Sequence, residues 1–69
     1  MNTDKNPAKQ IIDRFGGQTK LASLLGKRQS TVQYWAKTAR IPSHWHERLL
    51  ELAREKGIGL EPNDFVNMS

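Results

Sequence analysis

Gly26 stands between two short apolar patterns of helical period, and no other feature of this chain limits its fold so tightly. Before it, Leu21, Leu24 and Leu25 fall at i, i+3 and i+4, which places them on one side of a helix predicted from about Gln18 to Leu25. A glycine just past a helix takes the left-handed backbone conformation that closes the last turn, so the chain changes direction there. After it, Val32, Trp35 and Ala36 form a second apolar stripe. Ser30, Gln33, Tyr34 and Lys37 recur at i, i+3, i+4 and i+7 on another, wholly polar face of the same helix. Residues 18–37 therefore read as two short helices meeting at a sharp turn. The second helix buries one side and offers long hydrogen-bonding side chains on the other, the form that enters a DNA major groove.

Size leaves little room around this unit. A chain of 69 residues makes one domain with a small core, close to the lower limit for folding without crosslinks or metal. It has no cysteine, which removes disulfides and thiolate metal sites and gives no sign of an oxidising compartment. No apolar run approaches a membrane span and no secretory h-region follows Met1, so a cytoplasmic protein is expected.

The net charge of +4 is unevenly placed. From Arg14 to His46 there is no Asp or Glu, while Arg14, Lys20, Lys27, Arg28, Lys37 and Arg40 all lie in that window. The residues before it are balanced, and those from Glu47 onward carry a net charge of −2. The positive field coincides with the two-helix unit, as phosphate binding requires.

In chain order, residues 1–7 lack periodicity and read as a flexible arm. Residues 8–57 form the domain. Ala8, Ile11, Ile12 and Phe15 make a first amphipathic helix that Gly16 closes, and Gly17 starts the next. Pro42 stops the helix that carries Trp35. Ser43 is placed to cap a fourth helix whose stripe is Trp45, Leu49, Leu52 and Ala53, ended by Gly57. The expected core comprises Ile11, Phe15, Leu21, Ala22, Leu25, Val32, Trp35, Trp45, Leu49 and Leu52. Residues 58–69 are a tail with two readings: Ile58 and Leu60 alternate as in a short strand, and Pro62 to Phe65 suit one helical turn.

Gln18, Ala22, Gly26, Val32 and Trp35 stand at the mutual spacing of a known motif. Over about residues 8–56 the chain resembles the lambda-type Cro and repressor helix-turn-helix family, and within it small prophage Cro-like regulators, including the YdaS-like group. The resemblance implies a compact all-α, lambda-repressor-like DNA-binding domain of four to five helices, acting as a transcriptional regulator. It implies that Gln18 and Thr19 contact DNA phosphate, with Lys20 adding charge beside them. It implies base readout by Arg28, Gln29, Ser30, Gln33 and Tyr34, and a homodimer on DNA with Ile58, Leu60, Phe65 and Val66 as candidate contacts. A tail that only covers the bottom of so small a core is the stronger reading of those four residues.

The turn departs from the family in two places. Lys27 stands where an apolar residue is usual; its alkyl stem covers the site while the ammonium reaches water or phosphate. Arg28 stands where Ser or Thr commonly caps the recognition helix. Two helix starts follow. Either the helix begins near Arg28, or Ser30 and Gln33 form a capping box and readout passes to Arg28, Gln29, Tyr34 and Lys37. The spacing from Gly26 to Val32 to Trp35 favours the first. Lys37, Thr38 and Arg40 follow the helix and suit phosphate rather than bases.

Two other classes compete. His44-Trp45-His46-Glu47 holds groups that serve metals or acid-base chemistry, but histidines at i and i+2 of a helix point apart and lack the i, i+4 pairing of a zinc helix. No catalytic residue, metal or cofactor is expected, and no small-molecule ligand. A protein-binding adaptor that keeps the fold without binding DNA calls for an acidic or apolar outer face, and this one is neither.

Overall fold

The computed structural model describes residues 6–68. Four α-helices follow one another: α1 (Pro7–Arg14), α2 (Gln18–Leu25), α3 (Gln29–Thr38) and α4 (His46–Lys56). A 3-10 turn, Ser43–Trp45, leads into α4, and a second 3-10 segment, Pro62–Met68, closes the chain. The domain is all-α, with no strand among the described residues. No helix is long and apolar enough to cross a membrane, among the described residues.

The core is assembled from one face of each helix. Ala8, Ile11 and Ile12 come from α1 and Phe15 from its C-cap, Leu21 and Ala22 from α2, Val32 and Trp35 from α3, and Leu49, Leu52 and Ala53 from α4. Ile41 and Phe65 complete it from outside the helices. Two expected core residues, Leu25 and Trp45, are half-buried at its edge. Ile41 carries no periodic signal, since it stands alone between Arg40 and Pro42, yet it is 1% exposed. Burying a side chain of that size stabilises the fold by about 1.5–3 kcal/mol.

All four α-helices end in the same paired bonds. At α2, the Lys27 N–H donates to Ala22 and the Gly26 N–H to Ser23, the two closures of a Schellman motif. Gly26 has φ +69°, as the left-handed closing position requires. Corresponding pairs close α1 on Ile12 and Asp13, and α4 on Ala53 and Arg54. At α3 the closing residue is Ala39, with φ +57° and no glycine to relieve it. Arg40 donates to Trp35 and completes the motif. The helix therefore stops three residues before Pro42, which was expected to stop it.

Three expected boundaries move. Helix α1 starts at Pro7, inside the expected arm, because the Asn6 carboxamide oxygen accepts from the Lys9 N–H at 2.9 Å and caps it. Residues 1–5 of that arm lie outside the described residues. Helix α4 starts at His46 rather than after Ser43, whose side chain makes no cap bond. The Trp45 N–H donates to the Pro42 carbonyl at 2.9 Å, winding 43–45 as a 3-10 turn. That turn sets the Trp45 ring 5.7 Å from Trp35. The tail forms its helical turn and not a strand. Phe65 is 4% exposed and stacks on His46 with ring centroids 4.1 Å apart.

An ion pair clamps the tail to α1. Arg14 Nη1 donates to Asp64 Oδ2 at 2.9 Å and to the Gly59 carbonyl at 3.1 Å. The same carboxylate oxygen accepts from the Glu61 N–H at 2.8 Å. That backbone bond above all, helped by the Arg14 guanidinium, holds the Asp64 carboxyl below its ordinary range, while partial burial opposes it.

Two consequences are measurable. Ala39→Gly relieves a left-handed cost of about 1–2 kcal/mol and gives back about 0.4–1 kcal/mol to the unfolded chain, so a net gain near 0.5 kcal/mol is expected. It should raise the melting temperature by about 2–4 °C in a calorimetric scan. Asp64→Ala should cost about 1 kcal/mol near pH 7, because the clamp is partly solvent-screened. A depressed folded-state pKa contributes stability above the unfolded value, so the gap between the two proteins should close as pH falls below about 4. Urea melts at about pH 7 and pH 2 measure both ends of that window.

Candidate nucleic-acid interface

Helix α3 begins at Gln29 and Arg28 occupies its cap position, with extended backbone and no side-chain cap bond. The Thr31 N–H donates to the Arg28 carbonyl at 3.0 Å, so Arg28 and not Ser30 opens the first turn. The expected alternative, a capping box between Ser30 and Gln33, does not form. Both side chains are exposed instead.

That register fixes which side chains face outward. Val32 and Trp35 are 0% and 3% exposed, and they draw one side of α3 into the core. Ser30, Gln33, Tyr34 and Lys37 line a shallow open depression of about 250 Å³ on the other side. Gln29 precedes Gln33 by four residues, which puts it on the same face. Tyr34 is 65% exposed, unusual for an aromatic residue in a chain so short of core material. All five side chains carry hydrogen-bonding groups and none is acidic.

The cations of the acid-free window do not act alike. Arg14 is engaged by Asp64 and Gly59, so the tail and not the neighbouring Asp13 supplies the carboxylate that pairs with it. The Lys27 ammonium sits 5.3 Å from the Trp45 ring centre, a cation–π contact that replaces the apolar packing usual under such a turn. The stem of Lys20 lies back across Gly16, where a Cβ would come within 2.8 Å of its Cδ. Arg28, Lys37 and Arg40 are exposed along and beside α3, with no carboxylate partner among the described residues.

Other expected contacts divide in the same way. At α2, Gly17 supplies no side-chain cap, and the first intrahelical bond is from Leu21 to the Gly17 carbonyl. The N–H groups of Gln18, Thr19 and Lys20 therefore precede it, beside the positive end of the helix. The Thr38 hydroxyl donates to the Tyr34 carbonyl at 2.9 Å, so its proton is committed within α3 and not offered to phosphate. His46 Nε2 lies 2.8 Å from the Ile41 carbonyl, and as the only possible donor of that pair it must carry the proton. His44 is exposed and tilted against Trp45, apart from His46. Of the four candidate dimer residues, Phe65 is buried, Ile58 and Leu60 pack half-buried on the core, and Val66 is 58% exposed.

One positioning residue escaped the sequence reading. While its oxygen caps α1, the Asn6 Nδ2 donates to the Ala36 carbonyl at 2.7 Å, across 30 positions of chain. Ala36 lies in the last turn of α3, where its carbonyl otherwise accepts only the long 3.4 Å bond from the closing Ala39 N–H. One side chain thus orders the start of α1 and ties it to the end of α3. Asparagine followed by proline is a helix-start pattern, so the cap was legible; the bond to Ala36 depends on the tertiary fold.

Comparisons with known protein families, with curated proteins and with solved structures give no match. The interface therefore rests on its own geometry.

Asn6→Asp separates the two bonds. An aspartate keeps a capping oxygen but has no N–H for Ala36, and it sets a carboxylate against that carbonyl. The variant should lose about 1 kcal/mol, the worth of one hydrogen bond to a carbonyl that keeps only its long bond from the Ala39 N–H. Faster amide exchange in 36–40 with little change in 7–10 is the expected signature by NMR.

Proposed function

We propose that this protein binds duplex DNA sequence-specifically, laying α3 in the major groove, and serves as a transcriptional regulator in the cytoplasm. The observation that carries the reading is the outer face of α3. Gln29, Ser30, Gln33 and Tyr34 stand exposed on a helix whose opposite side is anchored by Val32 and Trp35. Glutamine pairs bidentately with adenine N6 and N7, and tyrosine touches a thymine methyl or a phosphate. Arg28, expected among the base-reading residues, takes the cap position ahead of the helix and joins Lys37 and Arg40 as a phosphate contact, with Gln18, Thr19 and the open N–H groups of α2 as a second anchor. The resemblance at Gln18, Ala22, Gly26, Val32 and Trp35 supports the same reading.

A single module reads only a few base pairs, so the working unit in this proposal is a homodimer on half-sites about one helical turn apart. Phe65 belongs to the core, which leaves Val66 as the most accessible of the four candidate contacts.

Selection of bound sequences from a random duplex pool tests the reading directly, and a palindromic result is expected. On the selected site, three phosphate-contacting cations at about −0.9 each give a slope of log affinity against log salt of about −2.7 per protomer. An affinity indifferent to salt and sequence removes the proposal. Gln33→Ala should cost about 1–3 kcal/mol on the selected site and blur preference at one base pair. Lys37→Ala should weaken all sequences alike and flatten the salt slope by about 1.

A further inference from the structure

The cleft between α2 and the end of α4 has no place in the DNA reading. The backbones of these two helices stay apart, with no Cα pair within 8 Å among the described residues. The gap is a pocket of about 310 Å³ lined by Arg14, Phe15, Gly16, Lys20, Leu24, Lys56 and Ile58. Nothing in the residue order points to it, because its walls come from three separate stretches of chain. Its chemistry is divided. Phe15, Leu24 and Ile58 supply apolar surface, and Arg14, Lys20 and Lys56 supply positive charge. No carboxylate lines it.

One of the cations is held in place. Arg14 Nη1 is fixed by Asp64 and the Gly59 carbonyl, which shares its charge with that carboxylate, restrains the guanidinium and leaves its Nη2 and Nε hydrogens without a protein acceptor among the described residues. The exposed Lys20 stem runs close to Gly16, where a Cβ would stand 2.8 Å from Lys20 Cδ and the backbone φ is +102°. Lys20 and Lys56 have no acidic partner among the described residues. Restrained donors beside apolar walls suit an anion that also has an apolar body, since both halves of such a ligand find complementary surface without reordering the protein.

We infer that the Arg14–Lys20–Lys56 cleft binds a small organic acid, a carboxylate on a short aryl or alkyl body. The acid group lies among the three cations and the body against Phe15, Leu24 and Ile58. This site is independent of the DNA reading and is tested without DNA.

The probe is phenylacetate, titrated into the ¹⁵N-labelled protein and followed by NMR. Acetate supplies the charge without the body, and 2-phenylethanol the body without the charge. Saturable shifts at 14–16, 20–24 and 56–59 are expected with phenylacetate, in the millimolar range for so small a ligand. Either control should bind at least about tenfold more weakly. Lys56→Glu should weaken phenylacetate by about tenfold or more while the protein stays folded. An anion in the last turn of α4 opposes the helix dipole and lowers the melting temperature by a few degrees. Lys56→Gln, which removes the charge without reversing it, should weaken binding with a smaller drop. Gly16→Ala, which displaces Lys20, should also weaken binding. No saturable shift, shifts spread over every lysine, acetate equal to phenylacetate, or Lys56→Glu binding as well as the parent each overturns the inference.

Discussion

The burial of Val32 and Trp35 is the constraint on which the rest of the structure depends. These two residues take one side of a ten-residue helix out of water. Everything on the opposite side of α3 is thereby fixed in orientation, because positions three and four apart must share a face. Trp35 also sets the entry to α4. Trp45 packs beside it at 5.7 Å, and the 3-10 turn before α4 is the backbone's means of bringing the second indole there. Lys27 then lies over Trp45, so the turn between α2 and α3 is closed from below by a ring and a cation where a small aliphatic residue is usual.

Periodicity made most of this legible. The apolar stripes located all four helices, and glycines 16, 26 and 57 marked three of their ends, because a left-handed closing residue is a local demand that sequence expresses directly. The end of α3 was misread for the same reason. Ala39 adopts the left-handed conformation against its own preference, and Pro42 was the only visible stop signal. Ile41 was missed because a lone apolar residue between polar neighbours has no period. The tail was ambiguous in isolation: Phe65 favours neither strand nor helix until His46 offers it a ring to stack on.

The charge pattern was legible in position but not in use. A stretch without carboxylates placed six cations in one window, and folding assigns them different tasks. Arg14 secures the tail, Lys27 covers an indole, and Lys20 leans across Gly16. Arg28, Lys37 and Arg40 keep their charge at the surface beside the polar face of α3. Side-chain partners of this kind lie up to 50 positions apart, beyond the reach of any local pattern.

The two ends of the chain show why so small a domain needs such long-range ties. With a core of only a few side chains from each helix, hydrophobic burial alone leaves the helices weakly fixed relative to one another. Directional bonds supply what volume cannot. Asn6 joins the start of α1 to the last turn of α3, and Arg14 joins the end of α1 to the tail. Helix α1 is thus tied at both termini, once to the helix that carries the outer polar face and once to the segment that covers the core from below. The first of these ties bears on α3 directly, and the second bears on it only through α1. The orientation of the candidate interface therefore rests on the Asn6 link as well as on the burial of Val32 and Trp35.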